Sequence, residues 1–160
     1  SDVCSSDLEL IQGGKSVDKW TALRDEIHND IMNNAWHEGK QAFTQSYSSE
    51  HLDASVLLME YYGFIDGKDD KYVQTVKAIE KELMYEGLLY RYKNEDDFGL
   101  PSSSFTVCTF WFINSLFQIG EEDKSKTLFV YPLTENPKNW QNECYQLYFK
   151  SGEIHKEITY

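Results

Sequence analysis

The chain has 160 residues, of which 41% are hydrophobic and 26% charged, so it has the length of one domain or of part of a larger one. Its net charge of −12 would repel a phosphate backbone and argues against a nucleic-acid partner. No apolar run approaches the ~18–20 residues of a membrane span, and no signal peptide is recognisable. Three scattered cysteines and four unpaired histidines predict neither a metal site nor a cofactor. The low cysteine count is also compatible with a reducing compartment, and we expect a cytoplasmic location.

Five helices are predicted, and in chain order they alternate between two kinds. Amphipathic segments have apolar residues at three- and four-residue spacing on one face; these are residues 16–36, 69–86 and 121–129. Between them lie two segments that are apolar around most of their circumference, residues 53–62 and 104–120. In the first amphipathic helix the predicted buried stripe contains Trp20, Leu23, Ile27 and Ile31, and Ser104 is the candidate N-cap of the last apolar helix.

This alternation predicts an all-α fold in two concentric layers. A helix that is apolar on all sides must be covered on all sides, whereas a helix with one apolar stripe covers the layer beneath it. Outer amphipathic and inner buried helices in turn are typical of an α/α barrel, while a plain bundle would give every helix a similar stripe. Five helices cannot close such a ring, so we expect an incomplete α/α barrel, with a helical bundle as the alternative.

Two long polar and aromatic loops precede the apolar helices. Their sequences are "HEGKQAFTQSYSSEHL" and "LLYRYKNEDDFGLPSS". Loops that enter inner helices from the same end of a barrel converge on one rim, where a ligand can bind. Tyrosine and tryptophan are side chains that stack on sugar faces, although aromatic residues also fill cores.

These loops and the helices after them resemble glycoside hydrolase family 15, which contains glucoamylases and bacterial trehalase-like enzymes. The stretches "FTQSYSSEHLDASVLL" and "GLLYRYKNEDDFGLPSSSFTVCTFWF" carry the resemblance, which extends over about residues 20–129. Members usually have glycine where this chain has Ser48. The resemblance implies an (α/α)6 barrel, incomplete in this chain, and inverting hydrolysis of a terminal α-linked glucose. The expected partner is therefore an α-linked glucose oligosaccharide or disaccharide.

The resemblance also implies sugar-binding residues. Arg91 with Tyr92 matches the family's Arg-Tyr pair, whose planar guanidinium suits adjacent sugar hydroxyls. The alternative is that Arg91 pairs with Glu95 or Asp96 at the base of its own loop.

Tyr47 and Asp53 lie in the other matched loop and are also candidates for substrate binding. Asp53 could equally cap the apolar helix that follows it. Phe110 and Trp111 are expected in the core, and Cys108 matches a small buried cysteine of the family rather than a nucleophile.

Inverting glycosidases need a general acid and a general base, with carboxyl groups roughly 6.5–9.5 Å apart so that a water fits between them. By the resemblance, the acid lies upstream of the matched segment and is absent from this chain. Glu143 is the candidate base, since it lies within about one position of the expected residue. It lies in a tail, residues 131–160, where the resemblance stops and where natural divergence or a shifted reading frame would explain the sequence.

The opening "SDVCSSDL", residues 1–8, back-translates to a sequence resembling a short-read sequencing adapter, and we expect it to be an artefact. Residues 9–130 would then be part of a catalytic α/α-barrel domain. We expect the chain to be an inactive portion of an α-glucoside hydrolase. The alternatives are a non-catalytic carbohydrate-binding protein on the same scaffold and a helical interaction protein, although no internal repeat is visible.

Overall fold

Helices joined by two short antiparallel hairpins make up the computed structural model, which describes residues 18–97 and 99–135. In chain order the elements are α1 (Asp18–Asn34), β1 (Trp36–His37), β2 (Ala42–Phe43), a 3-10 helix (Ala54–Leu57), α2 (Leu58–Tyr61), α3 (Asp70–Leu83), β3 (Met84–Tyr85), β4 (Leu88–Leu89), α4 (Thr106–Ile119) and α5 (Glu122–Glu135). Trp36 faces Phe43 in the first hairpin, and Met84 faces Leu89 in the second. The predicted all-α class is confirmed, with the two hairpins as additions.

Helix α3 has the amphipathic character predicted for it. Asp69 caps it by accepting a hydrogen bond from the Lys71 backbone N–H at 2.8 Å. The buried face contains Tyr72, Thr75, Val76, Ile79 and Leu83, and most of the charged side chains of the helix are lysines and glutamates outside this face. This face forms one wall of the core.

Helix α4 is buried over much of its circumference, as its sequence predicts. Its buried residues are Cys108, Thr109, Phe110, Phe112, Ile113, Ser115 and Leu116. Gly120 ends the helix in the left-handed region at φ 94°, a conformation that glycine adopts without a steric penalty. The predicted cap by Ser104 is wrong, because Phe105 occupies the N-cap position and no side chain bonds to the first turn.

The two predicted inner segments are adjacent. The first is shorter than predicted, with one 3-10 turn followed by one turn of α-helix. The buried Tyr72 of α3 links it to α4, since its hydroxyl donates to the Leu57 carbonyl at 2.8 Å and lies 2.8 Å from Ser115 Oγ. Leu52, Ala54 and Leu57 are buried in the same core as α4.

Helix α1 differs from the prediction in the burial of its stripe. Ile31 packs against the core, but Leu23 is 44% and Ile27 51% exposed. Residues 21–27 are all exposed, and the helix is partly buried again from His28, whose ring packs on Phe64 with ring centroids 4.6 Å apart. None of the helices in residues 18–97 and 99–135 combines the length and apolar character needed to cross a membrane.

Candidate functional site

Arg91 lies where the two predicted rim loops meet. The hairpin before it is anchored on α4, because the Leu89 backbone N–H donates to the buried Thr109 hydroxyl at 2.9 Å. The Arg91 carbonyl then accepts a hydrogen bond from the Ala54 N–H at 2.7 Å. These two bonds join the Arg91 loop both to α4 and to the start of the 3-10 helix.

Asp53 contacts Arg91 from the neighbouring loop. Its backbone is extended, and its Oδ1 accepts a hydrogen bond from the Ser55 N–H at 2.7 Å, which caps the 3-10 helix as one sequence alternative predicted. Its Oδ2 lies 3.4 Å from Nε of Arg91, although the Asp53 side chain is only 6% exposed. The carboxylate therefore supports both the helix end and the guanidinium.

The Arg91 guanidinium is half exposed, with 52% of the side chain accessible. Its Cζ lies 5.8 Å from the centroid of the Tyr92 ring, within the range of a cation–π contact. Among the residues that the structure describes, its ion pair is with Asp53 rather than with Glu95 or Asp96. The guanidinium is thus held on its Nε side and reaches solvent with the rest of its surface.

Tyr92 is fixed by the loop that follows it. Its hydroxyl donates to Oδ2 of Asp96 at 2.5 Å, and this hydrogen bond is the main reason that the Tyr92 pKa is raised above its ordinary value. Asp96 pairs with Gly99, whose φ of 92° is in the left-handed region. Sequence reasoning missed the role of Asp96 as the partner of Tyr92, although the four-residue spacing between the two was a usable signal.

Tyr47 lies apart from the other three candidate binding residues. Its hydroxyl donates to Oδ2 of Asp30 on α1 at 2.6 Å, which raises the pKa of Tyr47. The ring lines a largely apolar groove of about 460 Å³ together with Ile31, Val56, Met59 and Phe64. Arg91, Tyr92 and Asp53 do not line this groove, so the structure brings three of the four predicted binding residues together and leaves Tyr47 apart.

Cys108 lies in the core, close enough to Asp53 and Arg91 for both charges to act on its thiol. The residue is fully buried, and burial raises the pKa of its thiol to about 12. The Asp53 carboxylate raises this pKa further, whereas the Arg91 guanidinium opposes the shift. A thiol with so high a pKa stays protonated at neutral pH, as expected of a buried core cysteine rather than of a nucleophile.

Two core residues and one catalytic candidate remain from the sequence analysis. Phe110 is buried, and Trp111 is partly buried against the core, as expected. Glu143 lies outside the described residues, as do residues 1–8 and most of the tail. The carboxylate predicted to act as general base therefore has no structural description.

The fold is that of part of an α/α barrel. A solved chain titled "Glycosidase Wild Type" superposes with a TM-score of 0.65 at 13% identity, covering 75% of this chain and 32% of that one. A variant glycosidase chain superposes with a TM-score of 0.66 over the same shares. Because this chain covers 32% of that chain, its helices correspond to part of a barrel, as predicted.

Residues 4–131 match the family model described as "Glycosyl hydrolases family 15", and the chain belongs to this family. A trehalase of Thermoplasma acidophilum is 41% identical over 102 residues, which cover 62% of this chain. A trehalase of Mycobacterium tuberculosis is 40% identical over 121 residues, or 73% of this chain. The chain spans 17% and 18% of the length of these two relatives.

Proposed function

We propose that the full-length protein containing this chain hydrolyses the α-glucosidic bond of a glucose disaccharide, with trehalose as the favoured substrate and inversion at the attacked carbon. Membership of glycosyl hydrolase family 15 supports the reaction class. The two trehalases that share 40–41% identity with the chain support the choice of disaccharide. A cytoplasmic location remains a prediction.

The half-exposed guanidinium of Arg91 carries the proposal for the site. It lies at the junction of the two loops, is held on one side by the buried Asp53 carboxylate, and lies near the Tyr92 ring. A guanidinium presents five N–H donors in one plane, which suits two adjacent hydroxyls of a glucose ring. Tyr92, fixed by Asp96, offers an aromatic edge to the same sugar.

Inversion requires two carboxyl groups that do different work. A protonated acid donates to the leaving glycosidic oxygen, while an ionised base removes a proton from the attacking water on the opposite face of the sugar. We propose Glu143 as the base, and we propose that the acid belongs to a part of the full-length protein that is upstream of the matched segment and absent from this chain. Residues 9–160 alone, without that acid, are expected to release no glucose.

The test is glucose release from trehalose and maltose by the full-length protein. Arg91→Ala removes charged hydrogen bonds worth about 1.5–3 kcal/mol each, so we expect kcat/KM for trehalose to fall by roughly 100-fold or more. Arg24→Ala is the matched control, because Arg24 is 71% exposed on α1 and pairs with the adjacent Asp25. Equal activity of the two variants, or no glucose release by the wild type, would contradict the proposal.

A further inference from the structure

The two oxygens of the Asp53 carboxylate have separate partners. Oδ1 accepts the Ser55 N–H that begins the 3-10 helix, while Oδ2 faces Nε of Arg91. The side chain is 6% exposed, so it has little surface left for a ligand. A residue in this position acts on a sugar through its neighbour rather than by contact.

We propose that Asp53 is a positioning residue that fixes the Arg91 guanidinium for sugar binding, and that it does not itself touch the substrate. This inference rests on the proposed function. It replaces the sequence-based expectation that Asp53 binds the sugar directly. The cap is a second role of the same side chain, and the two roles can be separated by substitution.

The positive charge of the Arg91 guanidinium explains why it needs an anionic partner within the protein. Glucose disaccharides are neutral, so a bound substrate brings no anion to hold Arg91 in place. Asp53 supplies a counter-charge from a side chain that is only 6% exposed, so water screens the carboxylate less than it would at the surface. Because the contact is to Nε, the two terminal nitrogens of the fork can face outward as a pair toward adjacent hydroxyls.

The backbone reinforces the pairing. The Ala54 N–H, next to Asp53, donates to the Arg91 carbonyl at 2.7 Å. The two residues are therefore joined at the main chain as well as at the side chains, although 38 positions separate them. An arginine held at its main chain and at one guanidinium nitrogen loses less conformational freedom when it binds a ligand.

Asp53→Asn separates the two roles. Asparagine is as good an N-cap as aspartate, so the helix start is retained while the charge facing Arg91 is lost. Asp69→Asn is the matched control, since Asp69 caps α3 through Lys71 N–H and the structure shows no pairing of its carboxylate with Arg91. Both variants are made in the full-length protein, alone and combined with Arg91→Ala.

We expect Asp53→Asn to raise KM for trehalose and to lower kcat/KM by roughly 10- to 100-fold, because the misplaced fork binds the sugar poorly. Loss of folded enzyme would instead lower the apparent kcat and leave KM unchanged. In the Arg91→Ala background, Asp53→Asn should cost less than threefold further, which is the signature of coupled residues. Asp53→Asn kinetics that match those of Asp69→Asn, or effects that add fully with Arg91→Ala, would overturn the inference.

A readout without substrate distinguishes this inference from the proposed function. In protein labelled with 15N-arginine, the Nε–H signal of Arg91 is assigned by its disappearance in Arg91→Lys. We expect 15N relaxation to show this N–H bond restrained in the wild type and in Asp69→Asn, and clearly more mobile in Asp53→Asn. If the wild type cleaves no disaccharide but shows this difference, the Asp53–Arg91 pairing stands and the hydrolase proposal fails; equal mobility in all three proteins refutes the pairing.

Discussion

Replacing Tyr72 by phenylalanine tests whether one buried hydroxyl joins the two inner segments of the fold. Tyr72 is fully buried, and burial raises the pKa of its hydroxyl to about 12, so the group remains a hydrogen-bond donor throughout the neutral range. It donates to the Leu57 carbonyl and contacts Ser115 Oγ, both at 2.8 Å. The substitution removes only this oxygen and leaves the ring in place.

The expected cost follows from which groups lose a partner. Ser115 retains its hydrogen bond to the Trp111 carbonyl at 2.9 Å, whereas the Leu57 carbonyl loses the donor from Tyr72. One buried acceptor without this donor costs about 1–2 kcal/mol. Local opening of the 3-10 helix and of α4 should therefore become roughly 5- to 30-fold more frequent.

Hydrogen exchange measured by mass spectrometry reports this opening directly. In the full-length protein, amides of residues 54–61 and 106–119 should exchange faster in Tyr72→Phe by that factor. Tyr62→Phe is the control, because Tyr62 is 75% exposed and its hydroxyl makes no hydrogen bond within the described residues. Unchanged exchange in both segments of Tyr72→Phe would show that the hydroxyl does not join them.

Ser48 has a φ of 59°, in the left-handed region, so Ser48→Gly should raise the urea midpoint of unfolding by the equivalent of up to about 1 kcal/mol. Ser49→Gly, at a residue outside this region, should lower the midpoint, and the same sign for both variants would contradict the argument. Native Cys108 should resist iodoacetamide at pH 8 and react only after unfolding, as read by peptide mass spectrometry; rapid native labelling would refute its burial. Because its folded-state pKa is about 12, above the ordinary ~8.5, its thiol contributes stability that is complete below pH ~8.5 and is lost toward pH 12. Cys108→Ala should therefore show a shallower loss of unfolding free energy between pH 9 and 11 than the wild type.

The long helices could be predicted because their burial follows a repeating pattern. The buried face of α3 and the near-complete burial of α4 both follow from the spacing and number of apolar residues. The exposure of Leu23 and Ile27 could not be predicted, since a stripe shows which face is apolar and does not show whether a neighbour covers it.

Short elements and contacts between separate loops were harder to predict from the sequence. Strands of two residues are too short for alternation to be recognised, so both hairpins were missed. The pairing of Asp53 with Arg91 joins distant positions, and sequence reasoning instead offered the nearby Glu95 and Asp96 as partners. The sequence places Tyr47 with Arg91 among the candidate sugar-binding residues because both lie in loops that resemble the family. In the structure the Tyr47 hydroxyl instead binds Asp30 of α1.

The stereochemistry of trehalose cleavage by the full-length protein tests the account most directly. Both glucose units of trehalose are α-linked, so inversion at one carbon yields one β-glucose and one α-glucose, whereas retention yields two α-glucoses. Proton NMR spectra recorded before the anomers interconvert should show the two anomers in equal amounts, and Arg91→Ala should give neither at a comparable rate. An initial product that is almost entirely α-glucose, or no cleavage of trehalose, would contradict the account.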